Sequence, residues 1–250
     1  MCVMTESNHS NTPTAAVLEG ITTVLIDLDD TIWWFTENSK VAFGRTCDAF
    51  SVDQFCSRDE FRRVYLAKNL ELWRLYHHGH IGRDHLMNER FRYTLQQCGY
   101  GGDCTVMAGK MDDYYLTTLA SLKLLVPGSL QLLEHLRRKG YTVCVVSNGF
   151  RGTQQQKLRS AGVDGYIDRI VLSDDCGITK PFRGIYDYAL RQCGVTASQA
   201  VMIGDDPEAD IEGAHSAGLR TVYYNCRGVD PKAGTATFTV AHMADVIPLL

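Results

Sequence analysis

Short apolar runs decide what this chain can become. Val24-Leu25-Ile26, Ile170-Val171-Leu172 and the runs at 142–146, 200–203 and 221–224 are apolar at nearly every position and too short for helices. A strand presents successive residues to opposite sides, so a run that is apolar throughout is a strand covered on both faces. Between the later runs stand amphipathic segments that each stop at a glycine: 129–139 at Gly140, 153–161 at Gly162, 184–193 at Gly194 and 208–217 at Gly218. Glycine past a helix end accepts the left-handed backbone that terminates it. Strands alternating with helices predict an α/β fold, a Rossmann-like parallel sheet with helices on both faces.

The first strand is separated from the rest by a stretch of different rhythm. From about Thr36 to Leu124 there is no buried strand pattern, only helical spacing. Ser57-Arg58-Asp59-Glu60 has the capping-box arrangement. It opens a long helix through Phe61, Val64, Tyr65, Leu72 and Trp73 that stops near Gly79. A second helix follows Gly82 and ends at Gly99, and a third covers about 105–122. Three or four helices packed on one another would make an inserted all-α cap domain, 36–124. The core would then comprise 21–35 and 125–250, with 1–20 as a flexible, Ser/Thr/Asn-rich N-terminal tail lacking the pattern of a signal peptide.

The bulk numbers exclude several classes. A formal charge of −4 over 250 residues gives no basic field for a nucleic acid polymer. No apolar run approaches the roughly 20 residues needed to cross a membrane. Nine scattered cysteines without a C-x-x-C pair argue against a zinc site or a disulfide scaffold. They suit free thiols in a reducing cytoplasm.

The chemistry-bearing residues fall where strands end. Asp27 and Asp29 follow the first strand two apart, so both leave it pointing the same way. Adjacent carboxylates raise each other's pKa unless a cation or hydrogen bonds hold them, so the pair asks for partners elsewhere in the chain. Ser147-Asn148-Gly149 and Gly204-Asp205-Asp206 close two other strands, and ligands of open α/β sheets bind beyond such carboxyl ends. Each motif has a plainer reading when taken alone. The Asp pair reads as an acidic turn, Ser147-Asn148-Gly149 as a simple turn and Lys180 as a loop lysine. Asp206 and Asp210 read as acidic residues at the start of a helix with Pro207 at its first position. Asp30 is expected to face away from the site.

Taken together, Asp27-x-Asp29-x-Thr31, Ser147-Asn148, Lys180-Pro181 and Gly204-Asp205-Asp206-Pro207-Glu208-Ala209-Asp210 resemble the four motifs of the haloacid dehalogenase superfamily. They stand in its order, over about 22–226, and the helical insertion resembles its C1-type cap. The resemblance implies a Mg²⁺-dependent phosphomonoester hydrolase working through an aspartyl-phosphate. In it Asp27 would be the nucleophile and Asp29 the acid and then base. The metal would be held by the carboxylates of Asp27 and Asp205 and the backbone carbonyl of Asp29. Thr31, Ser147, Asn148 and Lys180 would bind substrate, with Lys180 bridging the phosphoryl group and Asp27. Asp210 and Asp206 would stand behind them. Many members carry Ser or Thr where this chain has Asp206, which leaves the metal ligand open between Asp205 and Asp206. Dehalogenases of the superfamily lack the second aspartate, so Asp29 favours phosphatase over 2-haloacid dehalogenase, and intact motifs disfavour a non-catalytic nucleotide binder.

For the substrate, the 72–81 run from Leu72 through Trp73, Tyr76 and Gly79, with Asn148-Gly149-Phe150, resembles the pyrimidine 5'-nucleotidase branch, which acts on UMP, dUMP and dTMP. The alternatives are another small phosphate monoester, such as phosphoglycolate, a sugar phosphate or FMN. Trp33, Trp34 and Phe35 are placed to stack on a base, or else to pack the cap hinge. Trp73 and Tyr76 read equally as cap core. His77, His78 and His80 read as a solvated helix end. The expected partner is a small phosphate monoester, with the chain a monomer or weak homodimer.

Overall fold

A computed structural model of the chain describes residues 18–250. The expected tail lies outside them except for its last residues. There Leu18 is already buried, and its N–H donates to the Leu249 carbonyl at 2.9 Å.

Six strands form the sheet: β1 Thr23–Ile26, β2 Thr142–Ser147, β3 Arg169–Leu172, β4 Ala200–Gly204, β5 Arg220–Tyr224 and β6 Phe238–Val240. All pairs are parallel, in the order β3-β2-β1-β4-β5-β6. The helices are α1 Phe35–Ala49, α2 Arg58–His77, α3 Arg83–Gln97, α4 Cys104–Ser121, α5 Ser129–Lys139, α6 Arg151–Ala161, the one-turn α7 Ser173–Cys176, α8 Arg183–Cys193 and the one-turn α9 Gly213–Ser216.

Alternation along the strands explains why both faces are covered. Val24, Ile26, Val143, Val145, Val201 and Ile203 share a cluster with Leu132, Leu133 and Leu136 of α5 and Leu158 of α6. Their neighbours Leu25, Cys144, Val146 and Met202 point the other way, into Ile185, Tyr186 and Ala189 of α8 and Ala214 of α9. Each such side chain contributes roughly 1.5–3 kcal/mol when fully buried. Two of these strand–helix units place β2, β1 and β4 side by side at the centre of the sheet, so their carboxyl ends share one edge.

Helices α1 to α4 lie between β1 and α5. Their interior is aromatic: Phe43 and Tyr65 ring centroids are 5.0 Å apart, Tyr65 and Phe91 4.6 Å. Ser57 Oγ accepts from the Glu60 N–H at 3.3 Å, so the sequence signal marks the true start of α2. Helix α1 has no such local signal. Its first turn is held by Asp30, whose two oxygens accept from the backbone N–H and the hydroxyl of Thr36, both at 2.7 Å. The chain enters and leaves these helices through one clasp. The Trp34 N–H donates to the Leu124 carbonyl at 3.0 Å, and the Asn38 side chain both donates to that carbonyl and accepts from the Leu124 N–H.

Besides α1, which the sequence does not bound, two elements differ from the sequence expectation. The segment read as a helix over 208–217 is a π-helical turn, Pro207–Glu212, followed by the single turn α9. Strand β6, three residues of which only Val240 is buried, is too short to stand out. Among the described residues no helix is long and apolar enough to cross a membrane, and the eight described cysteines are all free.

Candidate active site

The edge shared by β2, β1 and β4 carries the site. Ile26 is in register with Val145 and Ile203, so Asp27 and Asp205, just past β1 and β4, emerge beside Ser147, the last residue of β2. Lys180 reaches in from the loop before α8. Its ammonium donates to Asp27 Oδ1 at 2.5 Å and to Asp210 Oδ1 at 2.6 Å. All three groups are buried. Burial pulls the Lys180 amine down, but the carboxylates of Asp210 and Asp27 more than offset it and hold the ammonium above its ordinary range. Burial also pushes Asp27 upward, against the pull of Lys180.

The other motif residues brace this pair. The Asn148 side chain donates to the Lys180 carbonyl at 2.9 Å and accepts from its N–H at 2.7 Å, so it fixes the lysine's backbone. Asp210 Oδ2 accepts from the Asp206 N–H at 3.0 Å. This closeness requires Gly204, where an added Cβ would stand 2.3 Å from the Asp210 carboxyl carbon. Asp206 caps the π-helical turn, its Oδ1 accepting from the N–H groups of Glu208 and Ala209. Asp205, rather than Asp206, faces Asp27. Oxygens of Asp27, Asp205 and Asp210 lie within 4.8 Å of one another, a buried acidic cluster able to hold a metal ion. Burial raises the Asp205 carboxyl to about 7, against the opposing charge of Arg227 2.5 Å away.

Several expectations need correction. Thr31 does not face the substrate space: it is fully buried and its hydroxyl donates to Asp205 Oδ1 at 3.1 Å. Trp33 is equally enclosed, because its indole N–H reaches the Leu122 carbonyl at 3.2 Å and packs the hinge. Of the three aromatics after the catalytic loop, only Phe35 lines the cavity. His78 and His80 are exposed, but His77 turns inward with a buried, unpartnered Nε2. Burial first, then the Lys180 charge, lower its imidazole to about 4. Trp73 packs against Phe150, centroids 5.7 Å apart, while also lining the cavity.

Sequence reasoning missed the residues that hold Asp29. Lys157 Nζ donates to Asp29 Oδ1 at 2.6 Å, and Gln154 Nε2 donates to Oδ2 and to Ser147 Oγ, both at 2.8 Å. Lys157 is buried, with its ammonium 4.7 Å from the Trp33 ring. The sequence shows only that α6 is nearly all polar, which does not say which of its polar side chains turn inward. Gly149 gives Gln154 its room, since a Cβ there would stand 2.3 Å from the amide nitrogen.

Above these groups is a cavity of about 490 Å³. Its floor is Asp27, Asp29, Ser147, Asn148, Lys180 and Asp205, and its walls come from α2, α3 and α4. A model of haloacid dehalogenase-like hydrolases matches residues 21–218. The chain belongs to the haloacid dehalogenase-like hydrolases. It is 31% identical to the pyrimidine 5'-nucleotidase YjjG of Escherichia coli over 91% of this chain and 96% of that one. It is 29% identical to a ribulose-1,5-bisphosphate 5-phosphatase of Halopiger xanaduensis, over 82% of this chain and 84% of that one. The magnesium-bound crystal structure of HAD-hydrolase YfnB from Bacillus subtilis superposes with a TM-score of 0.79 at 26% identity, covering 90% of this chain and 96% of that one. Within the haloacid dehalogenase-like hydrolases, this chain is a phosphomonoester hydrolase.

Proposed function

We propose that this phosphatase is a Mg²⁺-dependent 5'-nucleotidase acting on pyrimidine nucleoside monophosphates (UMP, dUMP and dTMP). The observation that carries the reading is the two-part cavity, with anion-handling groups on its floor and apolar walls above. Phe35, Met87, Leu116 and Leu119 suit a flat heterocycle better than the hydroxyl-rich ring of a sugar phosphate.

Chemistry at the floor follows from the contacts. Lys180 occupies Asp27 Oδ1, which leaves Oδ2 to attack phosphorus in line with the leaving oxygen. The ester P–O bond breaks, Asp29 gives its proton to the departing 5'-oxygen, and an aspartyl-phosphate remains on Asp27. Asp29, now a carboxylate, takes a proton from water, and that oxygen displaces Asp27 to release phosphate. Ser147 and the Asn148 N–H hold the phosphoryl oxygens. The donor set is all oxygen and buried, which fits a hard cation. Mg²⁺ would be held by the carboxylates of Asp27 and Asp205 and the Asp29 carbonyl, and supplies positive charge against which two anions can meet. Asp210, bound to Lys180 and to the Asp206 N–H, would orient the lysine. The free thiols among the described residues support a reducing cytoplasm as its compartment.

A panel of monoesters assayed with and without Mg²⁺ tests the reading. Phosphate release is expected only with the metal, and faster from dUMP or dTMP than from ribose 5-phosphate; a preference for sugar phosphates would overturn it. Asp27→Asn is expected to abolish turnover while circular dichroism stays native.

A further inference from the structure

The cavity wall holds a charge that the phosphoryl chemistry does not use. Arg90 of α3 is only 4% exposed. Its Nε and Nη2 both lie 2.6 Å from Asp112 Oδ1 of α4. The N–H groups of Nη2 are not directed at that oxygen, and this buried nitrogen makes no hydrogen bond. A buried ion pair seldom stabilises a fold more than apolar packing would. Asp112 and the Tyr115 ring, whose centroid is 5.7 Å from the guanidinium carbon, hold the group in the cavity wall, and Nη2 still keeps a donor to spare.

A complementary group stands on the facing helix. Asn69 of α2 also lines the cavity, and its Oδ1 is buried without a partner. His77, Trp73 and Asn69 are spaced four apart and so run up one side of α2. His77 is at the floor end, where its carbonyl accepts from the Thr179 hydroxyl at 2.7 Å. Eight residues of helix place Asn69 about 12 Å further along the axis, a distance suited to the far edge of a nucleotide whose phosphate sits on Asp27.

Arginine can only donate, whereas the Asn69 oxygen accepts. A ligand satisfying both must present a carbonyl beside an N–H, on a group flat enough for the apolar walls. We propose that Arg90 and Asn69 form the base-reading end of the cavity, Arg90 donating to a ring carbonyl and Asn69 accepting from the adjacent imide N–H of uracil or thymine. The inference rests on the nucleotidase reading and assigns the groups that would enforce it. Asp112 is then a positioning residue that aims the guanidinium.

The test is a comparison of kcat/KM for dUMP, 3-methyl-dUMP and p-nitrophenyl phosphate, with Mg²⁺, in the wild type, Asn69→Leu and Arg90→Lys. The wild type is expected to prefer dUMP to its 3-methyl derivative, in which the imide N–H is gone. Asn69→Leu should remove that preference and lower the dUMP to p-nitrophenyl phosphate ratio by on the order of tenfold, as expected for one lost hydrogen bond, through KM. Arg90→Lys keeps a charge for Asp112 but loses the planar fork, and should lower the ratio similarly. If the wild type prefers dUMP to ribose 5-phosphate while both variants and the methylated substrate leave the ratios unchanged, the inference falls and the nucleotidase stands. If the wild type hydrolyses p-nitrophenyl phosphate with no preference for dUMP, the nucleotidase reading falls and the inference with it. Asn69, which makes no ion pair, keeps the test decisive should Arg90→Lys fail to fold.

Discussion

Asp29 is held at both oxygens, by Lys157 on one and Gln154 on the other. A carboxylate so occupied has no free oxygen to carry a proton until one donor lets go, so these two side chains set where the acid waits. Lys157 is therefore a positioning residue, and its loss should matter in proportion to how badly the leaving group needs a proton. In Lys157→Met, kcat for dUMP is expected to fall at least tenfold, against the 10²–10⁴ typical of losing general acid catalysis outright. Turnover of p-nitrophenyl phosphate, whose phenolate departs unprotonated, should fall much less. Steady-state kinetics on both substrates check this, and equal losses would point to a structural role.

Among the elements, the loop after β2 does more than its turn-like sequence suggests. Phe150 packs against Trp73 and Tyr76 of α2, and the Arg83 guanidinium of α3 lies 4.2 Å from its ring centroid. One side chain thereby ties the sheet edge to two helices of the cavity wall. Phe150→Ala is expected to cost about 3 kcal/mol in urea unfolding and to raise KM several-fold. The strands and most helices were legible because their signals are local: an apolar run, a glycine stop, a serine before α2. Asp27 and Asp205 stand out because they follow strands directly, whereas Lys180, eight residues beyond β3, was singled out only by the family resemblance. Lys157 and Gln154 were not legible, because they meet Asp29 across more than a hundred residues and look like solvent-facing positions of a polar helix. Arg90 and Asp112 also escaped, because a pairing between two helices leaves no local mark in the sequence. Helix α1 escaped because its cap, Asp30, belongs to the catalytic loop rather than to the residue before the helix.

The whole molecule feels one buried titration on its acid side. His77 is lowered to about 4 by burial and then by Lys180, whereas an imidazole in the unfolded chain titrates near ~6.5. Between those values the unfolded chain binds a proton that the native state does not, so stability rises with pH across this window. The contribution is fully present above the upper limit and lost as pH falls toward 4. It amounts to about 3 kcal/mol at most. Buried carboxyls such as Asp205, raised rather than lowered, act in the opposite sense. The difference between wild type and His77→Gln isolates the imidazole. Urea unfolding at pH 4.5 and 7 should show a smaller change for the variant.

The clasp at Trp34, Asn38 and Leu124 brings the two ends of an eighty-odd-residue excursion within a hydrogen bond of each other. Evolution can therefore lengthen, trim or replace everything beyond that neck while the reacting groups keep their places. A lineage built this way can trade one molecular diet for another by altering the helices strung beyond that neck.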